Sequence, residues 1–326
     1  MMKLRIVWLV VMLMLGSWSV VQAENGDGDD DGSDFEPPQG AATPAPDDSR
    51  MQSGPWNQRL MTAFSTDEGL TWTRTNQIVS DQADVPTAII DAEGRIFLYF
   101  VTYYEALRNS TVLALSEDSG ETWVYRQLDF GNVPTRPAPT DPAAVLLEDG
   151  RIRLYFIRGV GQPPRLVSMS AISDDGLHFT IEDGTRLDSA LGNVFCAAIL
   201  SINGQYHLFS PSMEPGWVHA VSDDGLNYEE QAPIVLPGGY FMGKGVVETP
   251  EGYRVFAHQG SPDSASFVPS IVSFLTTDGF SFTQEAGTRL QPDESGGLEA
   301  RAVRNPSVIR LPDGRLMMFY VTLIPE

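Results

Sequence analysis

From Trp56 onward, short apolar segments alternate with turns rich in Gly, Asp and Asn. Residues 88–100 are typical: two apolar segments flank a turn at Glu93-Gly94, and both are rich in β-branched and aromatic residues. Such a pattern indicates a β-hairpin. The same form returns around Asp149-Gly150, Asn203-Gly204, Glu251-Gly252 and Asp313-Gly314. The pattern therefore predicts an all-β chain built from repeated hairpins.

A second turn alternates with these hairpins. It runs from Ser116 to Trp123, recurs from Ser65 to Trp72, and returns in shorter form at 173–179, 222–228 and 276–282. Each copy has a hydroxyl residue, an Asp, a Gly and an aromatic residue. We expect the Asp to accept backbone N–H groups, the Gly to take a positive φ, and the aromatic ring to cover the strands. We call these segments the Asp turns and expect their aspartates to be scaffold.

The two series of turns share one period. The Asp-turn glycines stand at 69, 120, 176, 225 and 279, and the hairpin glycines at 94, 150, 204, 252 and 314. A repeat of roughly 50 residues made of four short strands predicts a β-propeller blade. The chain opens on an Asp turn without its hairpin and ends on a hairpin without its Asp turn. We therefore predict a five-bladed β-propeller over residues 53–326, closed by N-terminal outer strands that join C-terminal inner strands.

The N-terminus predicts export. Lys3 and Arg5 precede an apolar run at 6–15 and the small-residue site Val21-Gln22-Ala23, so residues 1–23 are interpreted as a cleaved signal peptide. A membrane anchor is the alternative, but the run is short for a spanning helix. We expect a secreted or periplasmic protein that is not inserted in a membrane after cleavage.

Residues 24–52 form a Gly/Asp-rich and then Pro/Ala-rich stretch with almost nothing to bury. They are predicted to be a disordered linker. Calcium binding by the acidic run 27–32 is an alternative, but the run lacks the bidentate Glu of a full calcium loop.

Charge and cysteine content narrow the partners. The formal net charge is −22, which argues against nucleic acid and anionic membranes and is compatible with neutral sugars. The single cysteine, Cys196, lies in an apolar string and is predicted to be a buried small hydrophobe. No internal disulfide can form, and we expect a monomer stabilised by its core.

Candidate chemistry lies opposite the repeated turns. In a propeller blade, both turn series lie on one face, so the starts of the inner strands and the loops after the second strands lie on the other. Acids, arginines and aromatic rings there suit a sugar. Strand starts offer Asp84, Asp141, Asn193, Lys244 and Asn305, the loops offer Tyr103, Tyr104, Glu105, Arg108, Arg158, Arg165, Glu214, Trp217, His258 and Asp263, and Arg136, Arg301 and Arg304 lie on approaches to strands.

Two families share these motifs. The Asp turns at 65–72 and 116–123 resemble the Asp boxes, or BNR repeats, of sialidases and related propellers. Asp141-Pro142-Ala143-Ala144-Val145 with its Asp-Gly-Arg hairpin, and Asn305-Pro306-Ser307-Val308 with Asp313-Gly314-Arg315, resemble five-bladed glycosidases of the arabinanase and fructosidase type. Together the resemblance covers residues 56–326. It implies the propeller fold and, if the protein is active, hydrolysis of O-glycosyl bonds.

The glycosidase resemblance implies specific roles. It makes Asp84 the catalytic base and Asp141 an auxiliary Asp that tunes or orients, but the third strand start reads Leu191-Gly192-Asn193-Val194 where that family has a Glu as general acid. Glu214, in the following loop, is our candidate for the missing acid. No cofactor is expected, although the resemblance leaves a central cation near His258 open. The predicted substrate-binding residues are Arg136, Tyr103, Trp217, Lys244, His258, Arg301, Arg304 and Asn305.

Two alternatives stay open. An Asp before Pro or a strand often caps only the backbone, so a non-catalytic propeller that binds carbohydrate or protein is the competing hypothesis. An exo-sialidase would use Arg136, Arg301 and Arg304 for a carboxylate and Tyr103 with Glu105 as the nucleophile pair. The five-blade count and the lack of a Phe/Tyr-Arg-Ile-Pro string disfavour the sialidase.

Overall fold

The computed structural model describes residues 34–40, 58–104, 107, 109–131, 139–195, 197–211, 217–236, 240–259, 270–293, 299 and 302–323. Within those ranges the chain is all-β, and none of its elements is an α-helix. The strands are β1 (Gln58–Ser65), β2 (Thr73–Asp81), β3 (Ala83–Ile90), β4 (Ile96–Thr102), β5 (Ser110–Ser116), β6 (Val124–Gln127), β7 (Thr140–Leu146), β8 (Ile152–Val160), β9 (Arg165–Ser173), β10 (Thr180–Ile181), β11 (Ala198–Ile202), β12 (Gln205–Pro211), β13 (Trp217–Ser222), β14 (Glu229–Glu230), β15 (Tyr240–Thr249), β16 (Gly252–Gln259), β17 (Ile271–Thr276), β18 (Thr283–Gln284), β19 (Val303–Arg310) and β20 (Leu316–Leu323).

The strands form antiparallel sheets with short connections. Three sheets have four strands each, in the orders β3-β4-β5-β6, β7-β8-β9-β10 and β11-β12-β13-β14. The other eight strands form one larger, mixed sheet in the order β18-β17-β16-β15-β19-β20-β1-β2. This sheet differs from the separate four-stranded blades that the sequence predicted. Its two halves are joined by a single parallel pair, Lys244 with Ser307.

The N-terminal and C-terminal strands lie side by side. β1 pairs antiparallel with β20 from Gln58–Leu323 to Ser65–Leu316. The first strands of successive four-strand groups also contact one another: β3 contacts β7 and β19, β7 contacts β11, and β15 contacts β11 and β19. The first strands of these groups are therefore neighbours in the fold.

The core lies between neighbouring sheets. Phe100 of β4 and Phe319 of β20 share one buried cluster, and Phe209 of β12 and Phe274 of β17 share another. All four rings are fully buried. Burial of an aromatic side chain of this kind stabilises the fold by about 2–3 kcal/mol, so the apolar faces of the sheets hold each sheet against the next.

The Asp turns have the predicted chemistry. In the copy at 116–123, Asp118 Oδ1 accepts the Thr122 N–H at 2.8 Å, and Ser116 Oγ accepts the Gly120 N–H at 2.8 Å. Gly120 has φ of 87°, and a Cβ there would lie 2.5 Å from Met317 Cε. Hydrogen bonds from the Thr122 side chain and backbone lower the pKa of Asp118. The aspartates of these turns are therefore occupied in holding the chain.

Residues 34–40, which lie within the predicted linker 24–52, make contacts with two outer strands. The Phe35 N–H donates to Tyr125 O at 3.3 Å, and the Asp81 N–H donates to Pro38 O at 2.7 Å. Gln39 Nε2 donates to Val79 O at 2.9 Å. The segment thus lies across the outer strands β2 and β6. Its Phe and two Pro residues give the segment apolar surface to bury. The average composition of residues 24–52, which is strongly polar, does not show this local apolar content. The signal peptide, the rest of the linker and Cys196 lie outside the described residues.

Candidate functional site

Four of the first strands are interrupted near their starts. Their pairing shifts register between Asp84 and Thr87, Thr140 and Ala143, Met242 and Val246, and Arg304 and Ser307. In three of these strands the extra residue precedes a proline and has a left-handed φ: Val85 at 54°, Asp141 at 54° and Asn305 at 49°. A β-branched residue such as Val85 rarely takes this conformation, and such strain concentrates at functional sites. Bulges also redirect side chains, so this end of the strands is the candidate site.

The two predicted catalytic aspartates occupy different positions in these bulges. Asp84 stands one residue before the left-handed residue, whereas Asp141 is the left-handed residue itself. By register, Asp84 therefore corresponds to Thr140 and Arg304, and Asp141 corresponds to Val85 and Asn305. The two carboxylates therefore stand at different positions of the repeated bulge, and we expect them to have different roles.

Asp84 is the focus of polar contacts from both ends of the chain. Its Oδ1 accepts Asn305 Nδ2 at 2.7 Å and its own neighbour's N–H, from Val85, at 2.8 Å. Arg304 approaches Oδ2 at 3.5 Å. When the side-chain amide of Gln58 is oriented so that both its N and its O form hydrogen bonds, its NH2 group donates to Asp84 Oδ2 at 2.8 Å and its oxygen accepts from Arg304. These contacts fix the carboxylate of Asp84 while leaving its side chain 13% exposed.

Gln58 was not among the predicted site residues. It is the first residue of β1, and its register partner, Leu323, is the last residue of β20. The predicted pairing of N-terminal with C-terminal strands is the signal that could have found it, because that pairing brings the start of β1 to the starts of the first strands.

His258 lies near the end of strand β16, not in a loop as the sequence predicted. Its Nδ1 accepts the Asn305 N–H at 3.2 Å. Burial, together with the nearby positive charge of Arg304, lowers the pKa of His258 to about 3. The imidazole is therefore neutral at ordinary pH and serves as an acceptor that orients Asn305.

The central cation near His258 stays a prediction from the sequence. The positive charge of Arg304 acts on this imidazole, and Nδ1 is already used by Asn305. In the parts of the chain that the structure describes, no group of three or more His, Cys, Asp or Glu side chains is placed to hold a metal ion.

Lys244 lies on β15 and is 7% exposed. Its Nζ donates to Pro142 O at 2.6 Å, so it reaches the start of β7 in a different sheet. Asp141 is equally buried, at 7% exposure. The structure thus places Lys244 beside the strand start that carries Asp141.

The remaining predicted residues differ in their surroundings. Trp217 is only 6% exposed and packs within a hydrophobic cluster, so its ring is a core side chain and not an open platform for a sugar. Tyr103 is half-buried just after β4, and its N–H donates to Gln82 O at 2.8 Å. Arg304 keeps a 29% exposed side chain beside Asp84. Glu214, Arg136 and Arg301, with Glu105, Arg108 and Asp263, lie outside the described residues.

The third strand start differs from the others. Asn193 Oδ1 accepts the Leu166 N–H at 2.9 Å, and β11 begins only at Ala198. Val194 is fully buried. The segment 191–194 therefore braces the loop and supplies no acid.

No helix among the described residues has the length and apolar character needed to cross a membrane. No protein-family model matches the chain, and no curated protein sequence matches it.

Solved structures of glycoside hydrolases share the fold. A glycosyl hydrolase from Bacteroides ovatus aligns at 16% identity over 74% of this chain and 84% of that chain, with a TM-score of 0.55. A thermostable family-43 glycoside hydrolase aligns at 13% identity over 74% of this chain and 88% of that one, also with a TM-score of 0.55. A member of the GH130 family of mannoside phosphorylases, which contains glycoside hydrolases that target β-1,2 mannosidic linkages in Candida mannan, aligns at 16% identity over 76% and 87% of the two chains, with a TM-score of 0.53. The chain thus has the propeller-type fold of glycoside hydrolases.

Proposed function

We propose that the protein is an exported, glycosidase-like five-bladed propeller that hydrolyses or binds a glycan in a central well. The observation that carries the proposal is the contact set of Asp84. Side chains from β1, β3 and β19 converge on one partly exposed carboxylate at the starts of the first strands. Convergent polar groups of this kind, on a fold shared with glycoside hydrolases, mark a candidate active site.

A cyclic series of contacts supports five blades. Each Asp-turn glycine lies against the second strand of a neighbouring four-strand group. The pairs are Gly176 with Tyr99, Gly225 with Tyr155, Gly279 with His207, Gly69 with Phe256, and Gly120 with Met317. Five such steps return to the starting group, as a closed ring of five blades requires.

We assign Asp84 the role of base, or of an orienting carboxylate, and Asp141 the role of tuning the site. A two-carboxylate mechanism also needs an acid about 5–9 Å from Asp84. Glu214 is the proposed acid, and Arg304, Asn305 and Tyr103 are the proposed contacts to sugar hydroxyls. Arg136 and Arg301 remain proposed binding residues from the sequence alone.

The direct test is a screen of aryl glycosides and polysaccharides with the wild type and Asp84→Asn. Asp149→Asn is the matched control, because Asp149 is an exposed hairpin-turn carboxylate paired with Arg151. We expect turnover in the wild type and the control, and a loss of about 10³-fold or more in Asp84→Asn. Equal turnover in all three proteins would remove Asp84 from the mechanism.

A non-catalytic glycan- or protein-binding propeller is the second candidate. Asn193 favours it, since this residue braces a loop where the resembling glycosidases have an acid. Such a protein would bind glycans without turnover and would keep binding after Asp84→Asn. An exo-sialidase has less support, because the guanidinium of Arg304 is directed to Asp84.

A further inference from the structure

Two glycines place Lys244 at the contact between β15 and β19. A Cβ on Gly243 would lie 2.1 Å from Pro306 O, and one on Gly245 would lie 2.4 Å from Val308 O. Real Cβ atoms do not approach backbone this closely, so only glycine fits on either side of Lys244. The two backbones meet there in the parallel pair Lys244–Ser307.

The ammonium of Lys244 then reaches a third strand. It donates to Pro142 O at 2.6 Å, and the side chain is 7% exposed. Burial of an ammonium group costs free energy of desolvation unless hydrogen bonds offset that cost, so we expect the contacts of a buried lysine to be structurally important. Lys244 therefore links β15 and β19 to the start of β7.

The carbonyl that Lys244 holds belongs to the residue after Asp141. Asp141 has φ of 54° and precedes a proline, a combination that crowding by the proline ring disfavours. A strained residue keeps its conformation only where the surroundings overdetermine it. Among the described contacts, the hydrogen bond from Lys244 on β15 restrains Pro142 O on β7.

We propose that Lys244 is a positioning residue: its ammonium holds Pro142 O and thereby fixes the conformation of Asp141 at the start of β7. The catalytic consequence rests on the proposed glycosidase function, whereas the structural consequence does not. Lys244 acts through Asp141 and is not itself assigned to the reacting atoms.

Hydrogen exchange tests the structural consequence without a substrate. Lys244→Met removes the donor and keeps the length of the side chain, while Lys244→Gln keeps an N–H donor and serves as the milder variant. We expect amide exchange in β7, at 140–146, to speed up about tenfold or more in Lys244→Met and less in Lys244→Gln. Exchange in β3, at 83–90, is the internal control and should stay unchanged. Unchanged exchange in β7, or equal acceleration in both strands, overturns the proposal.

Kinetics test the catalytic consequence on the 4-nitrophenyl glycoside that the wild type turns over fastest in the screen. A displaced carboxylate predicts a fall in kcat of about 100-fold with KM little changed, and partial recovery in Lys244→Arg. A change confined to KM, or no recovery with Arg, contradicts a positioning role. If the wild type turns over none of the glycosides, the hydrolytic form of the proposed function fails, and the exchange experiment still decides the role of Lys244.

Discussion

Asn305 Nδ2 lies 2.7 Å from Asp84 Oδ1, although the two residues are 221 positions apart in the chain. The contact joins the first strand after the N-terminal pair to the last strand pair of the chain. The orientation of the Asp84 carboxylate therefore depends on an uncharged donor. A single substitution at Asn305 can replace that donor with a second carboxylate.

Asn305→Asp should place a second carboxylate against Asp84. The backbone should tolerate the change, because Asp also adopts the left-handed φ of 49° found at Asn305. Two carboxylates at this distance cannot both ionise easily, so one pKa rises and the acid limb of the pH–rate profile should move to higher pH by about one unit or more. Carbon-13 NMR titration of labelled Asp measures the same shift without a substrate. Asn305→Gly, which removes the donor and adds no charge, is the control, and an acid limb that moves equally in both variants would exclude charge repulsion.

Asp141 should tolerate Asn far better than Val. Asn keeps both the size and the tolerance for a left-handed φ, whereas Val adds β-branching at a φ of 54°. We expect Asp141→Val to be about 1–2 kcal/mol less stable than Asp141→Asn, a difference of several degrees in melting temperature. Calorimetry measures both. Equal melting temperatures would mean that the bulge relaxes around any side chain.

Gly243→Ala should be among the most destabilising small changes. The added Cβ would lie 2.1 Å from Pro306 O and 3.0 Å from Phe256 O, and backbone cannot rotate away as a side chain can. We expect a loss of about 3 kcal/mol or more in urea unfolding. Gly150→Ala is the control: its φ is 85° but no heavy atom lies within 4 Å of the added Cβ, so only about 1 kcal/mol of backbone strain is expected. A similar loss in both variants would assign the cost to conformation and not to contact.

Local chemistry explains which features the sequence predicts. The hydrogen bonds that stabilise an Asp turn such as 116–123 join residues of the turn itself, so the local sequence predicts its conformation. The one-residue difference between Asp84 and Asp141 was also readable, because one proline follows two positions later and the other directly. Gln58, by contrast, reaches Asp84 only through the pairing of β1 with β20, which no local pattern contains.

The contact from Lys244 to Pro142 joins strands from different sheets. The local sequence there, Gly243-Lys244-Gly245, does not indicate which strand the lysine reaches. The docking of residues 34–40 was missed for a related reason. Their acidic and proline-rich composition favours disorder on average, while a few specific contacts to Tyr125 and Asp81 decide the outcome.

The docked segment 34–40 should contribute to stability through Phe35. Its ring lies 5.8 Å from the ring of Tyr125, and its N–H donates to Tyr125 O. Phe35→Ala should cost about 1–2 kcal/mol, because a half-buried aromatic ring is lost from this contact. Thermal melting measures the effect. Glu36→Ala, at an exposed position of the same segment, should change little, and equal effects of the two substitutions would argue that the segment is not docked in solution.

Two buried histidines should make the fold sensitive to acid. His207 Nδ1 lies 3.1 Å from His219 Nε2, both side chains are at most 1% exposed, and burial lowers the pKa of His219 from 6.5 to about 4, with His207 adding to the effect. The unfolded chain therefore binds protons at higher pH than the folded chain does. The stabilisation is complete above pH 6.5 and is lost as pH falls from 6.5 towards 4, up to about 3 kcal/mol for His219. Urea unfolding across this range should show stability rising with pH, and His219→Phe should reduce that slope, while His258, whose pKa is lowered to about 3, supplies part of the slope that remains. His178→Gln is the control, because the hydrogen bond to Asp175 raises the pKa of the exposed His178 and so acts in the opposite direction. A slope that is as steep in His219→Phe as in the wild type would assign the acid sensitivity to other groups.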